Sequence, residues 1–145
     1  MTEPAQDSPA KLNRLDLETE FHIEYDWWER ADRDLHVFLR SQMCERHQEI
    51  YSDSDLEAMV DHVDPRTGEV SQTAFVQDLL ARHCSQEEGY ITPQTSMINA
   101  IFRTLLANGN RPMSSRQLAD QIDRPPETIL RTLSGSRVYK GIRPV

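Results

Sequence analysis

The chain of 145 residues has only 2 cysteines and 5 glycines. Two thiols, Cys44 and Cys84, fall short of a disulfide framework, so a reducing cytoplasm is the expected setting. With so little glycine there is no glycine-rich loop to cradle phosphates. A serine nucleophile elbow and a paired-histidine metalloprotease motif are missing too, and an enzyme is not expected. No apolar run approaches the roughly 20 residues that span a bilayer. The opening MTEPAQDSPAK lacks the basic start and apolar middle of a secretion signal. Neither a membrane partner nor a cofactor is expected.

Positive charge is scarce in one half and abundant in the other. Residues 1–92 hold 21 Asp/Glu against 8 Lys/Arg, whereas residues 93–145 hold 3 against 8. The formal net charge of −8 therefore hides a basic C-terminal segment. Such asymmetry implies that the two halves meet different partners. The polar stretch Cys84–Ile91 lies just before the change of sign, which sets the expected division: a flexible tail over 1–14, an acidic domain over 15–88 and a basic domain over 89–145.

The acidic half opens with alternation from Leu15 to Tyr25, the pattern of a half-buried strand. A long helix is expected from about Trp27 to Ile50, capped by Asp26, with Trp28, Ala31, Leu35, Phe38, Leu39, Met43 and Ile50 along one stripe. Ser52–Asp55 starts another helix, running through Leu56 to Met59 and Val60. Asp64–Gly68 reads as a turn flanked by short extended pieces, Asp61–Val63 and Glu69–Ser71. A further helix covers Gln72–His83. The acidic residues from Asp53 to Glu69 lack the ligand alternation and central glycine of a calcium loop, and read as capping and turn chemistry.

In the basic half, Thr92-Pro93 opens a helix that stacks Met97, Ile98, Ile101, Phe102, Leu105 and Leu106 before Asn108-Gly109 stops it. Arg111-Pro112-Met113 is a short extended lead into Ser114–Leu133, SSRQLADQIDRPPETILRTL. Ser114 and Gln117 have the spacing of a capping box. Leu118, Ala119 and Ile122 make one apolar stripe; Pro126 suits a first helical position; Ile129 and Leu133 face back onto the first helix. Asp123 stands at the turn, where a left-handed conformation is needed.

The run Leu118-Ala119, Ile122, Thr128-Ile129, Arg131 and Leu133 resembles the helix-turn-helix unit of bacterial DNA-binding regulators. Three helices followed by the basic extended segment Arg137–Val145 resemble a minimal winged helix, with a tail too short for a full two-stranded wing. The resemblance covers about residues 92–145, and the acidic half resembles no known family. By the resemblance, double-stranded DNA is the partner. Glu127, Thr128 and Arg131 would face bases, while Ser114, Ser115, Arg116, Arg124, Arg137, Lys140 and Arg143 would face phosphates.

The remaining constellation is Cys44 and His47, three apart on one helix, with the adjacent His83 and Cys84. They could form a zinc set, but the second pair breaks the usual ligand spacing. Buried thiols and half-exposed histidines account for them equally, so no metal is expected. The expected fold is mainly α with minor β: an acidic helical domain with a short strand or hairpin, then a three-helix helix-turn-helix with wing-like tail. The expected role is transcription regulation, as a dimer on DNA, with the acidic domain mediating self-association or binding a protein. The alternative is an adaptor whose helix-turn-helix docks onto a partner protein.

Overall fold

The computed structural model describes residues 15–64 and 66–145, and the expected tail over 1–14 lies outside them. The fold is mainly α with a minor β component: among the described residues, eight α-helices accompany one three-stranded and one two-stranded sheet.

Strand β1 (Glu20–Ile23) buries Phe21 and Ile23 and leaves Glu20 in water, as its alternation demands. It is shorter than the expected strand from Leu15. The carboxylate of Asp16 accepts from the backbone N–H groups of Glu18 at 2.9 Å and Thr19 at 3.0 Å, which folds residues 16–19 into a turn instead.

The expected long helix from Trp27 to Ile50 is divided into α1 (Tyr25–Arg30), α2 (Leu35–Ser41) and α3 (Glu45–Ile50). Asp32 takes a left-handed conformation (φ 54°), and Asp34 caps the second segment by accepting from Val37 N–H at 3.1 Å. Both acids favour breaks over continuation. The breaks let Trp28, Leu39 and Met43 converge on one core, which a straight rod could not do. Helix α4 (Asp53–Glu57) carries the Ser52–Asp55 capping box and stops at Ala58. The next residues form β2 (Met59–Val63), paired antiparallel with β3 (Val70–Ala74), so the hairpin is longer than expected and the helix shorter. Alternating Val60 and His62 turn inward of their neighbours, the period of a strand.

Helix α5 (Phe75–Arg82) buries Val76, Leu79 and Leu80 and gives way to a 3₁₀ turn over Cys84–Gln86. Helix α6 (Met97–Ala107) is the spine of the core, with Ile101, Phe102 and Leu105 fully enclosed. Ser96 caps it; Thr92 and Thr95 bond each other in a turn before it, which delays its start relative to Thr92-Pro93. Strand β4 (Met113–Ser114), α7 (Ser115–Ile122), α8 (Pro126–Leu133) and β5 (Ile142–Pro144) complete the chain.

The sheet order is β4-β1-β5, with both pairings antiparallel. Strand β1, which the sequence grouped with the acidic half, is thus the central strand among elements of the basic half. The C-terminal segment supplies one edge strand of this sheet, and the N-terminal segment supplies the strand beside it. Side chains reinforce this junction. Asn110 Oδ1 accepts from Ile23 N–H at 2.7 Å while its Nδ2 donates to Ile23 O at 2.9 Å. The Trp28 indole donates to Lys140 O at 3.1 Å, and Glu24 N–H donates to Gly141 O at 2.7 Å. A Cβ on Gly141 (φ 77°) would stand 2.9 Å from both Glu24 O and Trp28 Nε1, so only glycine fits that approach. One core cluster runs from Phe21 to Ile142 and crosses the expected boundary at 88/89.

Candidate functional site

Local chemistry builds the α7–turn–α8 unit. Ser114 Oγ accepts from Gln117 N–H at 3.2 Å, and Gln117 Oε1 accepts from Ser114 N–H at 2.9 Å, closing the capping box. Asp123 ends α7 in the left-handed region (φ 56°, ψ 52°), and Pro126 opens α8 at its first position. Leu118, Ile122, Ile129 and Leu133 are buried between the helices and α6. That packing fixes the outer face of α8, where Glu127, Thr128 and Arg131 are all exposed. Among the described residues Arg131 has no ion-pair partner.

The residues expected to face phosphates have diverse fates. Ser114 and Ser115 are buried, at 4% and 0% exposure. Ser114 is consumed by the capping box, and Ser115 Oγ lies enclosed without a hydrogen-bond partner among the described residues. The start of α7 is further covered by Leu17, whose carbonyl accepts from Arg116 N–H at 3.5 Å. Both serine side chains are closed off from solvent, and Ser114 also belongs to β4, where it pairs with Glu20 of β1. The Arg124 guanidinium donates to Thr95 O at 2.9 Å and Pro93 O at 3.4 Å, holding the loop before α6 against the α7–α8 turn. Arg116 is paired with the Glu18 carboxylate, and Arg143 with Glu24 at 3.6 Å. Lys140 rests over the Phe38 ring at 4.7 Å, and exposed Arg137 over Tyr139 at 5.0 Å. Glu18 and Glu24 escaped the sequence reading because no local signal names a partner about 100 residues away.

A second cluster gathers at the start of α3 and the end of α5. Cys44 Sγ lies 3.1 Å from His47 Nδ1, Cys84 Sγ lies 3.2 Å from the same nitrogen, and the two sulfurs are 3.7 Å apart. His47 and Cys84 are buried, and Cys44 is partly so. Because α5 stops at Arg82, the following turn carries Cys84 inward and leaves His83 exposed, with its ring centroid 6.2 Å from that of His47. The sequence-derived set is therefore brought together in three of its four members. Burial holds the His47 imidazole below its ordinary pKa, with the Arg46 charge adding to the effect. Burial also pushes the Cys84 thiol up to about 11.

No protein-family model, curated protein or solved structure matches the chain.

The third feature is a cleft of about 300 Å³ between the β2–β3 hairpin, α5 and the α6 terminus. Asp78, 4% exposed, sits in its wall and is held by Arg82 Nε at 3.1 Å and His62 Nδ1 at 3.3 Å. One partner, Arg82, is a turn further along α5 and the other, His62, comes from β2, so the group is satisfied where it stands.

Proposed function

We propose that the protein binds double-stranded DNA, laying α8 in the major groove, and acts as a transcription regulator. The observation that carries this reading is the rigid two-helix unit whose one unpacked face presents Glu127, Thr128 and Arg131. A recognition helix needs that combination: an apolar side that fixes its angle and a polar side with nothing else to bind. Arg131 suits a guanine edge, and Glu127 suits a cytosine amino group. The phosphate-facing set reduces to Arg116, Arg137, Lys140 and Arg143. Arg116 and Arg143 are 59% and 44% exposed in their ion pairs. Exposed pairs are worth about 0–1 kcal/mol, so phosphate oxygens compete for both cations at little cost.

Titration of the full chain with random duplex DNA at rising salt tests the proposal. With about four phosphate contacts, log K should fall against log salt with a slope of roughly −3 to −4. Arg131→Ala should weaken binding to a selected site by about 1–3 kcal/mol, and relax preference at one base pair. Absence of association at low salt would overturn it.

Self-association belongs to the same proposal, since two units would then meet two half-sites. It is supported by the outer face of the β2–β3 hairpin, where Met59, Val63 and Val70 are 60%, 46% and 59% exposed. A sedimentation profile that is monomeric at every accessible concentration removes that part. The second reading, docking of the α7–α8 unit onto a protein, is favoured by the engagement of Arg116 and Arg143 with Glu18 and Glu24, which lowers positive potential at the face. It predicts no detectable association with DNA at low salt.

A further inference from the structure

We propose that Cys44, His47 and Cys84 bind one zinc-class divalent ion, which ties the start of α3 to the end of α5. The inference stands apart from the DNA-binding reading, because none of these residues lies on the α8 face.

The geometry argues for a single central occupant. The ring nitrogen His47 Nδ1 carries either one proton or one lone pair, directed along one line in the ring plane. Two sulfurs stand at 3.1 and 3.2 Å from that one atom, and at 3.7 Å from each other. A hydrogen-bonded chain from Cys84 S–H to Cys44 Sγ and from Cys44 S–H to His47 Nδ1 would pair both protons, but it does not require the second sulfur to stand equally close to the ring nitrogen. A cation between the three atoms serves them all. Tetrahedral zinc, with Zn–S of about 2.3 Å and Zn–N of about 2.0–2.1 Å, sets two sulfurs about 3.8 Å apart and sulfur about 3.5 Å from nitrogen. The sulfur–sulfur spacing matches, and the sulfur–nitrogen spacings need about 0.3–0.4 Å of relaxation.

The donor set agrees with that ion. Two thiolates and one imidazole are borderline-soft ligands that suit zinc and exclude calcium and magnesium, which take oxygen. All three ligand atoms lie within 4.8 Å of one another. They come from segments 37 and 40 residues apart, as a structural tie requires. Binding releases the two thiol protons to solvent and forms two Zn–S bonds and one Zn–N bond, with no change of oxidation state. Exposed His83, next to Cys84 in sequence and with its ring centroid 6.2 Å from that of His47, is the nearest further imidazole, and water is the other candidate for a fourth ligand.

The test is metal analysis and cobalt substitution of the full chain, purified under reducing conditions. About one zinc per chain is expected, and chelation should lower the thermal midpoint. Cobalt(II) added to the stripped protein should give the intense red-region bands of a tetrahedral site and a near-ultraviolet thiolate-to-cobalt band. Cys44→Ser and Cys84→Ser should each lose the metal. His83→Ala should retain it, with a shifted cobalt spectrum if the imidazole fills the fourth position and an unchanged one if water does. Should the cysteine variants fail to fold, the cobalt spectrum of the unaltered chain decides alone. A pale octahedral spectrum, sub-stoichiometric zinc, or a Cys44–Cys84 disulfide formed in place of metal binding would each overturn the proposal.

Discussion

At the residue scale, Ser115 separates what a position suggests from what its surroundings allow. Next to a helix start it reads as a phosphate donor, yet its hydroxyl is fully enclosed with no hydrogen-bond partner among the described residues. A hydroxyl buried in that way carries its desolvation cost without return. Ser115→Ala should therefore raise stability by up to about 1 kcal/mol in urea unfolding, and leave DNA affinity unchanged. A loss of affinity without loss of stability would reinstate the serine as a contact. Arg131 is the opposite case, because its exposure follows from helical spacing against Ile129 and Leu133, and the sequence alone places it correctly. The cysteines fall between. Their approach was half legible in the Cys44/His47 spacing, but the inward swing of Cys84 depends on where α5 unwinds, which no residue around it dictates.

At the scale of elements, what was legible is what is local. The Ser114–Gln117 box, the left-handed Asp123 and Pro126 at a first helical position each act within a few residues, and α7–turn–α8 follows from them almost residue by residue. The break between α1 and α2 is also written locally, in Asp32 and Asp34, whereas the break between α2 and α3 carries no such signal, Cys44 making no side-chain cap. Strand pairing was not legible, since the partners of β1 lie about 90 and 120 residues away and register has no local signature. The β2–β3 hairpin yields a pH prediction. The Asp64 carboxylate accepts from Arg66 N–H at 2.8 Å, and that bond, with Thr67 N–H and nearby arginine charge, holds it below the usual carboxylate range. A depressed folded pKa gives stability that is present above the unfolded value and is lost as pH falls through the folded one. Protection factors of the hairpin amides, corrected for the intrinsic exchange rate at each pH, should accordingly fall on acidification below about pH 4, and Asp64→Asn should flatten that dependence. An unchanged profile in the variant would show that other carboxylates govern the response.

At the scale of the whole molecule, opposite charges at the two ends of the sequence meet in one body. Glu18 and Glu24 engage Arg116 and Arg143, so the acidic segment tempers the basic one while strand β1 completes its sheet. Residues 89–145 alone would lack Phe21 and Ile23, each worth about 1.5–3 kcal/mol on burial, and would expose the inner edges of β4 and β5. That fragment should show no cooperative thermal transition by circular dichroism, and adding a peptide of residues 15–30 should restore one. Cooperative melting of the fragment by itself would instead make the basic half an independent unit. The central place of β1 also bears on how the protein is made. This strand leaves the ribosome before both of its partners, and has nothing to pair with until residues 113–114 and then 142–144 emerge. Its hydrogen-bonding edges stay unguarded while about 90 and then about 120 further residues are added, which makes the nascent polypeptide dependent on rapid synthesis of that stretch, or on a holding chaperone, to escape aggregation.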